Sequence, residues 1–221
     1  MISIPIHCFE IAQAQFVWDT GDQNGLVASS NAVRLKQTHS STGHLVSRSD
    51  LENSENHLRE GDWLVTNEPK TPLGIQVADC TAILVEGSSA KGSFVAAIHA
   101  GWRGTAIGVM ETCLESLQNS VAKNVWLSPS ICQNHFEVGS EVIDALESSA
   151  GAWTKPSSVS GKVLFDLKGY QSSRLKKMLG NRAQIHTNPL CTFCQPELIS
   201  YRRAKGELTP SKRQWAIIEM K

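Results

Sequence analysis

Residues 94–104 read Phe94-Val95-Ala96-Ala97-Ile98-His99-Ala100-Gly101-Trp102-Arg103-Gly104. An apolar run bounded upstream by Gly92 delivers a histidine straight into a glycine turn. Such a continuous run suits a strand buried on both faces. A histidine at its C-terminal end stands where sheet proteins build their sites. Gly101 and Gly104 allow the backbone to approach a ligand closely. Downstream, Ile107, Met110, Cys113-Leu114 and Leu117 recur at helical spacing, predicting a helix over Thr105–Leu117. Val125-Trp126-Leu127, ended by Pro129, reads as a strand. Strand, helix and strand in that order predict a right-handed crossover between parallel strands.

Working outward, Leu73–Ala78 and Ala82–Val85 are further buried-strand runs. Glu141–Leu146 reads as helical. Asp166 suits the N-cap of a helix running through Leu179 and closed by Gly180. Leu198–Tyr201 and Gln214–Glu219 read as final strands. Two soft stretches, Ser47–Glu60 and Ser148–Gly161, do not divide the chain, so one domain over residues 1–221 is expected. Mixed strands and helices without strict alternation indicate an α+β or mixed-sheet α/β class.

Lys+Arg and Asp+Glu stand at 21 each, so no net field recruits nucleic acid or an anionic membrane. The first residues, Met1-Ile2-Ser3-Ile4-Pro5-Ile6-His7, lack a basic region and reach Glu10 before a long apolar stretch forms. They predict no signal peptide and a cytoplasmic protein. Six cysteines are too few for a disulfide scaffold in a chain of this size and are expected as free thiols or metal ligands.

Unusual residues concentrate in Leu35–Ser40, Val77–Thr81 and Ile98–Gly104. Zinc takes neutral imidazole and thiolate in a tetrahedral shell, and a catalytic site keeps one position open. Three ligands from three strand ends, His39, Cys80 and His99, fit that plan. Structural sites usually draw ligand pairs from tight local spacings. Taken singly, His39 reads as a loop residue, Cys80 as a small buried hydrophobe, and Arg103 as a salt-bridged turn residue. The helix start beside Arg103 would favour an anion such as phosphate.

His99-Ala100-Gly101-Trp102-Arg103-Gly104 resembles the signature of the laccase-domain, or polyphenol-oxidase, family. Its members are described as zinc-dependent purine nucleoside phosphorylases, and some as peptidoglycan editing factors. Lys36-Gln37-Thr38-His39, Ala78-Asp79-Cys80, Phe136-Glu137-Val138-Gly139 and Cys191-Thr192-Phe193-Cys194, continuing to Ser200-Tyr201-Arg202-Arg203, agree with the family in order and spacing. The chain departs from the pattern at Ser128-Pro129, where Gly-Pro is usual, and at Ser40, where Gly is common.

The resemblance implies an α+β sandwich of four layers with two mixed sheets between helices. It implies zinc on His39, Cys80 and His99, with purine nucleosides and phosphate as substrates. The activity would be phosphorolysis of adenosine, inosine, guanosine and methylthioadenosine, together with adenosine deamination. Arg103 is expected to hold phosphate, with Arg202 or Arg203 as weaker candidates. Asp79 is expected either to orient a metal-bound imidazole or to cap a turn. Cys191-x-x-Cys194 has no second CxxC partner, so a zinc finger is not expected; a structural turn is. Cys132 and His135 are candidates for lining the pocket.

Three other readings compete. Two His and one Cys also match a blue-copper ligand set, although the seven histidines contain no His-x-His pair. Cys80 as nucleophile with His99 as base would make a metal-free hydrolase. A nucleoside-binding or peptidoglycan-precursor editing module without turnover is the third. The sequence leaves the oligomeric state open, and a monomer is compatible with it.

Overall fold

The computed structural model describes residues 7–8, 12–18, 31–52, 59–117, 119–205 and 213–221. In chain order the strands are β1 (His7–Cys8), β2 (Ala12–Trp18), β3 (Gly43–Leu45), β4 (Trp63–Thr66), β5 (Leu73–Val77), β6 (Thr81–Ser89) and β7 (Gly92–Ala100). They continue with β8 (Ser120–Leu127), β9 (Glu137–Gly139), β10 (Thr154–Pro156), β11 (Lys162–Phe165), β12 (Gln184–Thr187) and β13 (Gln214–Met220). The helices are α1 (Ser49–Glu52), α2 (Trp102–Ala106), α3 (Val109–Ser116), α4 (Ser140–Asp144) and α5 (Leu167–Leu179).

The class is α+β, as expected, and the described strands form three sheets, where the resemblance implies two. A six-stranded sheet, ordered β12-β8-β6-β7-β4-β3, is mixed. The other two, β1-β2-β13-β5 and β10-β11-β9, are antiparallel throughout. The predicted crossover joins β7 to β8. These run parallel because each is antiparallel to β6, which lies between them.

The apolar runs are buried on both faces, and a period of two sorts their side chains. Leu64, Ala82, Leu84, Val95, Ala97 and Trp126 face the four-stranded sheet, meeting Leu73, Ile75, Val77, Ala216 and Ile218. Their neighbours Val65, Ile83, Val85, Ala96, Ile98 and Val125 face Val109, Met110 and Cys113 of α3 and Leu175 of α5. A third cluster joins the small sheet to α4 and α5 through Phe136, Val138, Val142, Phe165 and Tyr170.

Two local expectations are corrected. The helix expected over Thr105–Leu117 starts earlier, at Trp102, and breaks after Ala106, because Gly108 takes a left-handed φ of 84°. Ile107, counted as part of its apolar face, is 57% exposed. Leu198–Tyr201 is not a strand. Leu198 is buried in the core, but its carbonyl accepts from Arg203 instead of a ladder partner. By contrast, α5 begins and ends as its sequence predicts, with Asp166 Oδ1 accepting from the Gly169 amide and Gly180 at the C-cap. Of the two soft stretches, Ser47–Glu60 holds α1, while residues 53–58 lie outside the described residues. Ser148–Gly161 holds a 3-10 turn and β10.

Strand register assembles the site. The two-residue turn Ala90-Lys91 closes the β6–β7 hairpin and pairs Thr81 with Ala100 at its far end. Cys80 therefore lies beside Gly101, two residues past His99. On the other side of β7, Trp63 pairs with Ile98, which puts Asp62 beside His99. Leu84, fully buried at mid-hairpin, anchors this register. Leu84→Ala is expected to lower the unfolding free energy by about 2–5 kcal/mol in urea denaturation; a change under about 1 kcal/mol would contradict the packing described.

Candidate metal centre

The ligand atoms of His39, Cys80 and His99 all lie within 4.8 Å of one another. His39 Nε2 is 3.9 Å from Cys80 Sγ, and the two imidazole rings meet edge to face at 4.8 Å. The three residues singled out from separate segments are thus brought together. Gly101 is required here: a Cβ on it would stand 2.9 Å from both Cys80 Sγ and His39 Cδ2.

The organising group is one that the sequence reading missed. Asp62 is fully buried. Its carboxylate accepts from the amides of Thr38, His39 and Ser40 at 3.2, 3.0 and 2.6 Å, from Ser40 Oγ at 2.7 Å and from His99 Nδ1 at 2.8 Å. Its backbone carbonyl accepts from the His99 amide at 2.7 Å. His39 sits at a left-handed φ of 59°, a conformation that costs a non-glycine residue about 1 kcal/mol or more. The three consecutive amides on Asp62 hold it there. With Nδ1 of His99 committed to Asp62, its Nε2 remains for a metal, the usual arrangement of a carboxylate behind a ligating histidine.

The electrostatics follow. Burial works to raise the Asp62 pKa, but hydrogen bonds from His99 and Ser40 prevail and hold it at about 2. Burial alone would lower His99; its bonds to Asp62 and Cys80 bring it up to about 9. Burial would raise Cys80, and the two imidazoles bring it down to about 6. The contacts thus favour the thiolate of Cys80 and the imidazolium of His99 over the thiol and the neutral ring.

Asp79 does not orient an imidazole. It accepts from Thr192 Oγ1 at 2.6 Å, Ser200 Oγ at 3.0 Å and the Arg202 amide at 2.7 Å, tying the 191–203 loop behind Cys80. Its own φ is 83°. Arg202 and Arg203 both donate to backbone carbonyls. Arg203 Nη1 donates to the carbonyls of Thr192, Phe193 and Gln195, and Arg202 Nη1 to those of His135 and Glu137. Arg103 is exposed, with its guanidinium 4.5 Å from the Trp102 ring, beside the start of α2, where no side chain caps the amides. The departures at Ser40 and Ser128 both have roles: Ser40 bonds Asp62, and Ser128 Oγ accepts from the Ala82 amide at 2.9 Å. Two surface hollows, of about 430 and 500 Å³, meet at Phe94, Leu117 and Ser120, toward the opposite end of β7 from His99.

Fold and site together define an α+β protein with a buried carboxylate behind a two-histidine, one-cysteine donor set. The chain belongs to the multi-copper polyphenol oxidoreductase laccase family, whose pattern matches residues 22–221. It is 36% identical over 141 residues to a purine nucleoside phosphorylase of Pseudomonas aeruginosa, a match covering 62% of this chain and 57% of that one. It is 34% identical to purine nucleoside phosphorylase YfiH of Escherichia coli, covering 66% of this chain and 60% of that one. Adenosine deaminase RL5, from an unknown prokaryotic organism, is 34% identical over 52% of this chain and 46% of its own. The chain therefore spans less than two thirds of the length of these relatives. Among solved structures, YfiH of Bacillus licheniformis superposes with a TM-score of 0.76 at 21% identity, covering 95% of this chain and 93% of that one. YlmD of Geobacillus stearothermophilus gives 0.75 at 22%, covering 96% and 93%. At those identities the likeness concerns the fold. No described helix is long and apolar enough to cross a membrane.

Removing the Asp62 carboxylate leaves several buried donors without an acceptor. Asp62→Ala is expected to lower the unfolding free energy by about 3–5 kcal/mol. Asp62→Asn should recover only part of this, because its amide N–H groups face donors. Denaturant titration checks both; an Asp62→Ala variant within about 1 kcal/mol of wild type would contradict the account.

Proposed function

We propose that the chain is a cytoplasmic, single-domain, zinc-dependent purine nucleoside phosphorylase acting on adenosine, inosine, guanosine and methylthioadenosine, with adenosine deaminase activity. The observation that carries this reading is the convergence of His39, Cys80 and His99 on one point, with His99 oriented by Asp62, in a chain whose relatives bear those names.

The donor set fits zinc: two imidazoles and a thiolate, with the second nitrogen of His99 engaged by a carboxylate. When bound, such a metal supplies Lewis acidity and acidifies a coordinated water. The chain's own residues do the rest. Asp62 keeps His39 and His99 in register. Arg103 and the uncapped amides of α2 hold hydrogen phosphate so that its oxygen attacks C1′ of the ribose as the C–N bond to the purine breaks, and the proton the phosphate gives up leaves on the base.

One observation favours a second reading. Cys80, His99 and Asp62 form a thiolate, base and orienting carboxylate in sequence, the arrangement of an activated cysteine nucleophile. Copper on the same donors is the third, from the family's description.

Incubation with inosine or adenosine and phosphate, followed by chromatography, separates these readings. Free base and ribose 1-phosphate are expected, with inosine formed from adenosine. Chelation, His39→Ala and His99→Ala should each reduce turnover at least about 100-fold. Activity that survives chelation but is lost to iodoacetamide would establish the nucleophile instead, and stoichiometric copper after purification without added metal would replace zinc.

Metal affinity is also expected to depend on pH. Binding must displace the proton that the metal-free site keeps on His99 up to about pH 9. Affinity should therefore rise about tenfold per pH unit from neutrality to about 9, more steeply below about 6, where Cys80 is protonated too, and level off above 9. Competition against a chelator of known affinity measures this; a flat profile between pH 7 and 9 would contradict the arrangement.

A further inference from the structure

A second cluster lies outside this site. The ligand atoms of Cys132, His135, Cys191 and Cys194 all fall within 4.8 Å of one another. His135 Nδ1 is 3.2 Å from Cys132 Sγ and 3.4 Å from Cys194 Sγ, and the sulfurs of Cys132 and Cys194 are 4.0 Å apart. A tetrahedral zinc with ordinary Zn–S and Zn–N bonds spaces its ligand atoms by about 3.5–3.8 Å, whereas a disulfide requires about 2.05 Å. The spacing is that of closed zinc knuckles: a Cys-x-x-His pair and a Cys-x-x-Cys pair, one from each of two loops.

The surroundings prepare the four side chains. The Cys132 amide donates to Cys191 Sγ at 3.2 Å, a bond that favours a thiolate. The His135 ring stacks on Phe193 at 4.2 Å, fixing its plane. Thr192 and Ser130 join the loops through an amide-to-carbonyl bond of 3.2 Å. Arg202 and Arg203, consecutive in sequence, each brace one pair: Arg202 through the carbonyl of His135, Arg203 through those of Thr192 and Phe193.

We propose that Cys132, His135, Cys191 and Cys194 form a closed, four-ligand structural zinc site, the second metal site of the chain. It staples the 130–136 loop to the 191–203 loop. Both meet Asp79, whose carbonyl accepts from the Ile131 amide and whose carboxylate accepts from Thr192, Ser200 and Arg202. The staple thereby backs Cys80, the next residue.

The test is a metal count by mass spectrometry on full-length protein purified under reducing conditions from zinc-supplemented cells. Two zinc equivalents per chain are expected. Cys194→Ser, at an exposed position, should lose one and keep the other, while His39→Ala should lose the other and keep this one. Failure of the catalytic reading therefore leaves this result readable. On the wild-type protein, Cys132, Cys191 and Cys194 should resist iodoacetamide until a strong chelator is added, as mapped by peptide masses. Equal zinc in wild type and Cys194→Ser would overturn the proposal. So would alkylation of the three thiols at the same rate with and without chelator, or a disulfide joining two of them in the reduced preparation.

Discussion

One buried carboxylate governs this structure's chemistry. Asp62 stands at the entrance to β4, fully out of solvent, and gathers the amides of residues 38–40 on one side and the His99 imidazole on the other. An ionised carboxylate in such a place survives only because every approach to it is made by a donor. The same bonds bend the chain at His39 into a left-handed turn and aim both histidines at Cys80. Asp62 therefore ties the donor set to the fold.

Asp62 is placed by sheet register. Since β7 lies between β6 and β4, residues just before each neighbour strand fall beside its C-terminal end. Cys80 precedes β6 and Asp62 precedes β4. A slip of one residue in either pairing would turn the alternate side chains to the other face and scatter the site. The register is secured by side chains buried on both faces of the strands, so core packing and site geometry are one problem. Asp79, immediately before Cys80, has a parallel role: at a left-handed φ of its own, it draws in the 191–203 loop.

Much of this is legible in the sequence where a local pattern suffices. The apolar run ending in His99 announces a strand buried on both faces, and Asp166 and Gly180 mark the ends of α5. His39, Cys80 and His99 stand out by residue type and by family resemblance. Asp62 does not: an acid ahead of Trp63 has no local signature, and its role depends on a pairing with β7 that only tertiary structure supplies. Gly108 lies inside the stretch whose spacing predicts a single helix, yet its left-handed φ breaks that helix. Leu198–Tyr201 has strand-like composition, but the side chains of Arg203 and Gln214 claim the backbone of Leu198 and Ile199. Cys191-x-x-Cys194 looks unpartnered only while a second CxxC is sought; its partner is the Cys-x-x-His of a distant loop.

The central claim is that His39, Cys80 and His99 share one metal ion and leave it an open position. Anomalous diffraction at the zinc edge, on crystals grown without chelator, tests it most directly. The account predicts a peak bonded to Nε2 of His39, Sγ of Cys80 and Nε2 of His99, with solvent or an anion as the fourth ligand. Zinc-soaked crystals with no peak among these three atoms, and His99 still bonded to Asp62, would contradict it.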